Sequence, residues 1–141
     1  MGLKYLLDTN IWSEAVKPEP NPNVMAQLKQ CSGEYCISVT VWHELNYGVA
    51  RMAESKRKQS FQSYIDALNN SGLSVVPYDK AAGEWLAKER GRLSQQGIAV
   101  SPTDGEIAAV AAVNKLIVVT RNVKDFVGFD ELVIENWFIK L

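Results

Sequence analysis

Short apolar runs alternate with longer segments whose apolar residues recur three and four apart, a pattern that predicts strands interleaved with helices. Leu3 to Leu7 reads as a buried strand that stops at Asp8-Thr9-Asn10, with a short helix starting near Ile11. Pro18, Pro20 and Pro22 break that helix, because proline lacks the amide proton a helix interior needs, and Val24, Met25 and Leu28 then fit a second helix. Tyr35 to Ser38 is a short strand, and Thr40 is the expected cap of a helix carrying Val41, Leu45 and Val49. Glu54 to Leu68 forms another helix with a basic flank, ending near Asn69-Asn70-Ser71-Gly72. Leu73 to Val76 is a strand, and Asp79 opens a long helix through Leu93 with Gly97 beyond it. Ser101-Pro102-Thr103-Asp104 is a strong helix start: serine suits the cap, proline the first helical position and the acid the third. That helix runs to about Asn114. Leu116 to Thr120 is a second strongly apolar strand, Val123 to Phe126 a short turn or helix, and Val133-Ile134 an edge strand.

Alternating strands and helices of this kind place the chain in the α/β class with a central, mainly parallel sheet. Its 141 residues suit one domain spanning 1–141. With 47% hydrophobic and 22% charged residues the composition is that of a globular chain, which sets disorder aside. A formal net charge of −1 excludes a globally basic nucleic-acid binder, leaving local basic patches or a bound metal as the source of positive charge. Cys31 and Cys36 form no C-x-x-C pair, and His43 is the one imidazole, so a zinc enzyme is not expected. The N-terminus reaches Asp8 before any long apolar segment develops, and no stretch approaches the ~20 residues of a membrane span. The expected location is the cytoplasm, with no membrane contact.

Four carboxylates carry the chemistry: Asp8, Glu44, Asp104 and Asp125. Asp8 follows the first strand, and Asp125 follows the strand ending at Thr120. Asp104 opens a helix, and Glu44 lies one turn into another. Strand carboxyl ends and helix N-termini face the same edge of a parallel sheet, so all four acids can converge on one cleft. Packed carboxylates repel and protonate unless a cation offsets them. Oxygen-only donors point to a hard divalent ion, Mg²⁺ or Mn²⁺, which can activate water for in-line attack on a phosphodiester. Arg121 and Lys124 flank Asp125 and are placed to touch a phosphate.

Four segments, in order, resemble the motifs of PIN-domain ribonucleases: Leu6-Leu7-Asp8-Thr9-Asn10, Glu44-Leu45-Asn46-Tyr47-Gly48-Val49, Asp104-Gly105-Glu106-Ile107-Ala108-Ala109 and Thr120-Arg121-Asn122-Val123-Lys124-Asp125-Phe126. The chain is most similar to VapC-type toxins. The resemblance implies a three-layer α/β/α fold and makes Asp8, Glu44, Asp104 and Asp125 both catalytic residues and metal ligands, supported by Asn10, Thr120 and Asn122. It implies a Mg²⁺-dependent endoribonuclease (Mn²⁺ also serving) that cleaves RNA, structured RNA such as tRNA included, by a metal-activated water. It further implies a homodimer and a hetero-oligomer with a VapB-type antitoxin. Gly105 departs from the family, which often carries a helix former there.

Each residue alone has a plainer reading. Asp104 can be only a capping acid, Glu44 a solvated helix residue, and Asp8 or Asp125 a strand end and a surface turn. Their occurrence together in motif order favours a shared site. His43 points about 100° away from Glu44 on a helix and reads as surface or packing. Trp12, Trp42, Trp85 and Trp137 read as core or interface. The run Arg51, Lys56, Arg57, Lys58 is equally a solvated face or an RNA-backbone patch. Apolar residues near Val49, Met52 and Phe61 suit either a groove for a partner helix or the core. The competing functions are a catalytically silent PIN module that binds RNA or a protein, and an aspartyl phosphatase or phospho-receiver. The phosphatase is disfavoured because Asn10, not an acid, stands two residues after Asp8, and the receiver because Leu6-Leu7, not an acidic doublet, precedes it.

Overall fold

The structure, a computed structural model, describes residues 2–140. Met1 and Leu141, the ends of the expected domain span, lie outside the described residues. In chain order the elements are β1 (Tyr5–Leu7), α1 (Thr9–Glu14), α2 (Pro22–Gln30), β2 (Tyr35–Ser38), α3 (Val39–Ala50), α4 (Lys56–Asn69), β3 (Val75–Val76), α5 (Lys80–Gln95), α6 (Pro102–Val113), β4 (Ile117–Val119), a 3₁₀ turn (Val123–Asp125) and β5 (Ile134–Glu135).

The five strands form one sheet in the order β3-β2-β1-β4-β5, with every pairing parallel. The expectation of a mainly parallel sheet is met by a wholly parallel one. Successive strand residues point to opposite faces, and in β1 both Leu6 and Leu7 are fully buried, as are Cys36 and Ile37 in β2 and Val118 and Val119 in β4. Both faces are therefore covered by helices, as a parallel sheet with crossover connections requires. The chain fills the sheet outward from β1 to one edge, then returns to the other side through α5 and α6 to enter β4. The strand order reverses between β1 and β4, where Leu6 pairs with Val118 and Leu7 with Val119. In sheets of this kind the crevice at the carboxyl ends of those two strands is where ligands bind.

Local chemistry explains most boundaries. Pro22 occupies the first turn of α2 behind the Asn21 cap, whose side chain accepts from the amides of Asn23 and Val24. Gly72 and Gly97 follow α4 and α5 with positive φ, the conformation glycine adopts most freely after a helix. Two expectations need correction. The cap of α3 is Ser38, not Thr40: the Ser38 hydroxyl accepts from the Val41 amide at 3.1 Å, while Thr40 sits inside the first turn. The strand expected over Leu73 to Val76 pairs only at Val75 and Val76, being an edge strand with one partner. Ser101 stands at the cap of α6 as expected, but its side chain makes no capping bond.

Trp137 is fully buried with its ring edge-on to Tyr5, and Trp12 packs edge-on against Tyr35 while its indole N–H donates to the Leu7 carbonyl at 3.1 Å. Trp85 packs on Phe129. Cys31 and Cys36 are buried free thiols. No helix among the described residues is long and apolar enough to cross a membrane.

Candidate active site

Asp8 lies where β1 ends, its amide still in the sheet and donating to the Val119 carbonyl at 2.9 Å. Its carboxylate is the N-cap of α1, accepting from the Thr9 amide at 2.8 Å through one oxygen. The other oxygen accepts from the Thr120 hydroxyl at 2.8 Å and the Asn10 amide group at 3.3 Å. Thr120 is fully buried at the end of β4 and uses both capacities of its hydroxyl, donating to Asp8 and accepting from the Asn122 amide at 3.0 Å. Asn10 completes the link, its side-chain oxygen accepting from the Arg121 amide at 3.1 Å. The two adjacent strands are thus joined at their carboxyl ends by side chains as well as by the ladder, and Asp8 is held in one orientation.

Asp104 occupies the first turn of α6, where the helix N-terminus favours an anion. Asp125 ends the 3₁₀ turn and is exposed, its amide donating to the Asn122 carbonyl at 3.0 Å. These two carboxylates and Asp8 feel one another. Burial pushes the Asp8 carboxyl above the usual range, against the opposing bonds from Thr120, Thr9 and Asn10, and the Asp125 charge adds to the rise. Asp104 is raised first by burial and then by the charges of Asp125 and Asp8, with no hydrogen bond offsetting them. Asp104, Asp125 and Lys124 line one open pocket of about 270 Å³ together with Ser101, Gly128 and Phe129.

Glu44 stands apart from this trio. It lies on α3 and lines a neighbouring groove of about 440 Å³, which it shares with Thr9, the residue after Asp8. Among the described residues no three histidine, cysteine, aspartate or glutamate side chains close into a ready-made chelate. Asp8, Asp104 and Asp125 are coupled electrostatically, whereas Glu44 faces the groove. Of the basic residues expected beside the acids, Lys124 faces the pocket with Asp104 and Asp125, whereas Arg121 lays its guanidinium over the Phe138 ring at 4.8 Å. His43 is exposed and stacked on Tyr47.

A PIN-domain family model matches residues 5–132. The tRNA(fMet)-specific endonuclease VapC of Shigella flexneri is 34% identical over 96% of this chain and 98% of its own. Toxin FitB of Neisseria gonorrhoeae is 32% identical over 94% and 97%. Among solved structures, VapBC2 from Rickettsia felis, bound to a DNA fragment from its promoter, superposes with a TM-score of 0.81 at 30% identity, covering 97% of this chain and 99% of that one. FitAcB from N. gonorrhoeae superposes at 0.83 with 28% identity, covering 95% and 98%. The chain belongs to the PIN-domain family, in its VapC-type branch of endoribonuclease toxins.

Two features of this PIN domain were not anticipated from its motifs. The Thr40 hydroxyl donates to Glu106 at 2.8 Å, tying the first turn of α3, which leads to Glu44, to the first turn of α6, which carries Asp104. Both residues lie within one turn of a motif acid, and that proximity was the available signal. Gly105, the departure from the VapC pattern, has a packing cause. A Cβ there would come within 3.0 Å of side-chain carbons of Leu86 and Val100, so glycine lets α6 approach α5 beside Asp104. The basic run divides: Arg51 and Arg57 line the Glu44 groove, while Lys58 pairs with Glu54 at 2.8 Å.

Proposed function

We propose that Asp8, Glu44, Asp104 and Asp125 form one metal-dependent hydrolytic site, built on a single domain that spans the chain. The single observation that supports it is the gathering of Asp8, Asp104 and Asp125 at the carboxyl ends of β1 and β4, where burial first and the neighbouring carboxylates second push Asp8 and Asp104 above the usual range. Carboxylates that raise one another are short of a cation, and an all-oxygen donor set suits Mg²⁺ or Mn²⁺. When bound, the ion supplies Lewis acidity for attack of water on phosphorus and offsets charge on the leaving oxygen. The rest is done by side chains. Thr120, Asn10 and the Thr9 amide fix the Asp8 carboxylate, so that ligand geometry is set before RNA arrives. Asn122, through its amide bond to Thr120, carries the same restraint into the 3₁₀ turn that presents Asp125. Lys124, in the pocket with Asp104 and Asp125, binds a phosphate beside the scissile one. Arg121, on the ring of Phe138, serves as a second, weaker phosphate contact.

The substrate on this reading is RNA, structured RNA such as tRNA included, in keeping with the name of the S. flexneri relative. The partner is an antitoxin of the VapB type, and the assembly a homodimer joined to that antitoxin. The R. felis and N. gonorrhoeae neighbours are themselves toxin–antitoxin complexes. The groove beside Glu44 suits an amphipathic segment, with Leu45, Val49, Met52 and Phe61 on its wall and Arg51 and Arg57 at its edge. Its place is the cytoplasm. The test is direct: the purified chain incubated with mixed RNA cleaves it in millimolar Mg²⁺ or Mn²⁺ and stops in EDTA. Cleavage that survives exhaustive chelation refutes the metal mechanism.

A further inference from the structure

Away from the acids, the most extensively bonded ion pair is Glu89 with Arg92, one turn apart on α5. Glu89 is 8% exposed, unusual for a charged residue on a helix surface. Arg92 grips it with two donors, Nε at 3.0 Å and Nη2 at 2.9 Å. The same Nη2 also donates to the Gly128 carbonyl at 2.8 Å, and Nε lies 3.3 Å from the Asp130 carboxylate. Glu89 accepts in turn from the Asp130 amide at 2.8 Å. Arg92 beside it holds the Glu89 carboxyl below the usual range, so the pair is ionised. Three of these contacts join α5 to a loop that has no regular structure of its own.

That loop is the continuation of the turn that carries Asp125. Between Asp125 and Gly128 stands Phe126, fully buried, and the Phe129 amide donates back to the Phe126 carbonyl at 3.2 Å. Phe129 packs on Trp85 of α5. Residues 125–130 are thus a short rigid strap with Asp125 at one end and the ion pair at the other. One turn earlier α5 packs closely on α6, where Leu86 meets Gly105 next to Asp104. The pocket between the two acids has Leu93, Gly128 and Phe129 as its far wall, which are residues of α5 and of the strap. Among the described residues no hydrogen bond joins Asp104 to Asp125, and the Asp125 charge opposes ionisation of Asp104. Their spacing is set by what each is built on, and α5 holds both.

We propose that Glu89 and Arg92 are positioning residues: the pair holds the Asp125 strap against α5 and thereby fixes Asp125 opposite Asp104, which sets the site's affinity for a divalent cation. This rests on the metal-site reading above. Groups that orient metal ligands without touching the metal cost about 10–100-fold in metal affinity when lost, whereas a clamp of purely structural value lowers stability and leaves affinity alone. The experiment is calorimetric titration of the full chain with Mn²⁺ alone, paired with thermal melts in EDTA and in Mn²⁺. Wild type, Arg92→Ala and Arg92→Lys are compared. Lysine keeps the charge but lacks the second nitrogen donor with which arginine grips Glu89, and it stands in if the alanine variant fails to fold. The expected result is a weakening of Mn²⁺ binding by about 10–100-fold for alanine and less for lysine. The melting point should fall further in Mn²⁺ than in EDTA, and cleavage should be partly restored at high Mn²⁺. If folded variants bind Mn²⁺ as wild type does, with equal losses of stability in both buffers, the positioning role is wrong while the metal site stands. If wild type itself does not bind Mn²⁺, the metal reading fails and this inference falls with it.

Discussion

The acid mouth and the Glu44 groove lie side by side, joined at Thr9, yet they are built on opposite plans. In the mouth, polar atoms are bonded to one another: Asp8 has three donors, Thr120 is buried with its hydroxyl used both ways, and Asn10 bridges two strands. In the groove, the wall is mostly aliphatic and aromatic side chains, and two of its three cations, Arg51 and Arg57, rest over the rings of Tyr47 and Phe61. A bonded polar network fixes geometry and suits chemistry, because ligands must be in place before charge develops. An apolar wall with a basic edge suits recognition of a segment that brings its own apolar stripe and acids. One helix, α3, presents both an acid, Glu44, and an apolar residue, Leu45, to the groove.

The largest effect expected lies where the two regions meet. Asp8→Ala and Glu44→Gln should each lower RNA cleavage by about 10³-fold or more with circular dichroism unchanged, and the double variant should be hardly worse than either, because groups of one site act as a unit. Additive partial losses would separate Glu44 from the mouth and assign it to the groove alone. Next, Thr120→Val removes the hydroxyl from a buried network. It should lower cleavage by about 10–100-fold and destabilise the fold by about 1–3 kcal/mol, because the Asn122 amide and one Asp8 oxygen lose a partner. Wild-type activity in this variant would mean that Asp8 needs no fixing.

The groove responds to a different change. Met52→Glu places a charge on its wall and should weaken capture of a VapB-type antitoxin by tenfold or more, as expected for a charge buried without a partner (about 1–3 kcal/mol or above). Cleavage should stay within about twofold of wild type, since Met52 makes no bond to the acid network. Equal loss of both properties would erase the division. A smaller effect separates the mouth from the ion pairs elsewhere. Asp8 and Asp104 titrate above 3.8 in the fold, so the stability they contribute is fully present below 3.8 and is lost as pH rises through the raised values. Glu14 and Glu89 titrate below 4.5, so their contribution is present above 4.5 and is lost as pH falls through the lowered values. Melts in EDTA should therefore show greatest stability on the acid side of neutrality, with decline in strong acid. A profile still rising toward neutral pH would contradict the raised titration of Asp8 and Asp104, which burial and then neighbouring charge produce.

Much of this was legible in the chain, for reasons that differ by residue. Asp8, Asp104 and Asp125 stood out because each follows a strand end or opens a helix, places that the hydrophobic pattern marks, while Glu44 lies a turn inside α3 and faces the groove. Tyr35–Ser38 was read to the residue because its apolar run is bounded by Gly33-Glu34 before and a helical pattern after. The α3 cap was misread because Ser38 and Thr40 are both good caps, and only the path of the chain out of β2 decides between them. Gly105 looked like a weakness until Leu86 and Val100 were in place against it. Arg121 stood beside Asp125 in sequence, but Phe138, distant along the chain, draws its guanidinium onto a ring. The Glu89–Arg92 pair carries no motif, and its meaning depends on a loop thirty-six residues away from Arg92.

The central claim is that the acids are one cation site, and Asp104 tests it most directly because its two roles predict opposite signs. Asp104→Asn removes one of the mutually repelling carboxylates. Two thermal melts of each protein suffice, one in EDTA and one in millimolar Mg²⁺. If the acids share a cation, the asparagine variant melts at or above wild type in EDTA. Wild type then gains stability in Mg²⁺ by mass action, and the variant gains much less. If Asp104 only stabilises the first turn of α6, the variant is less stable in both buffers by about 0.5–2 kcal/mol, and the two proteins respond to Mg²⁺ equally. That second outcome would contradict the shared site.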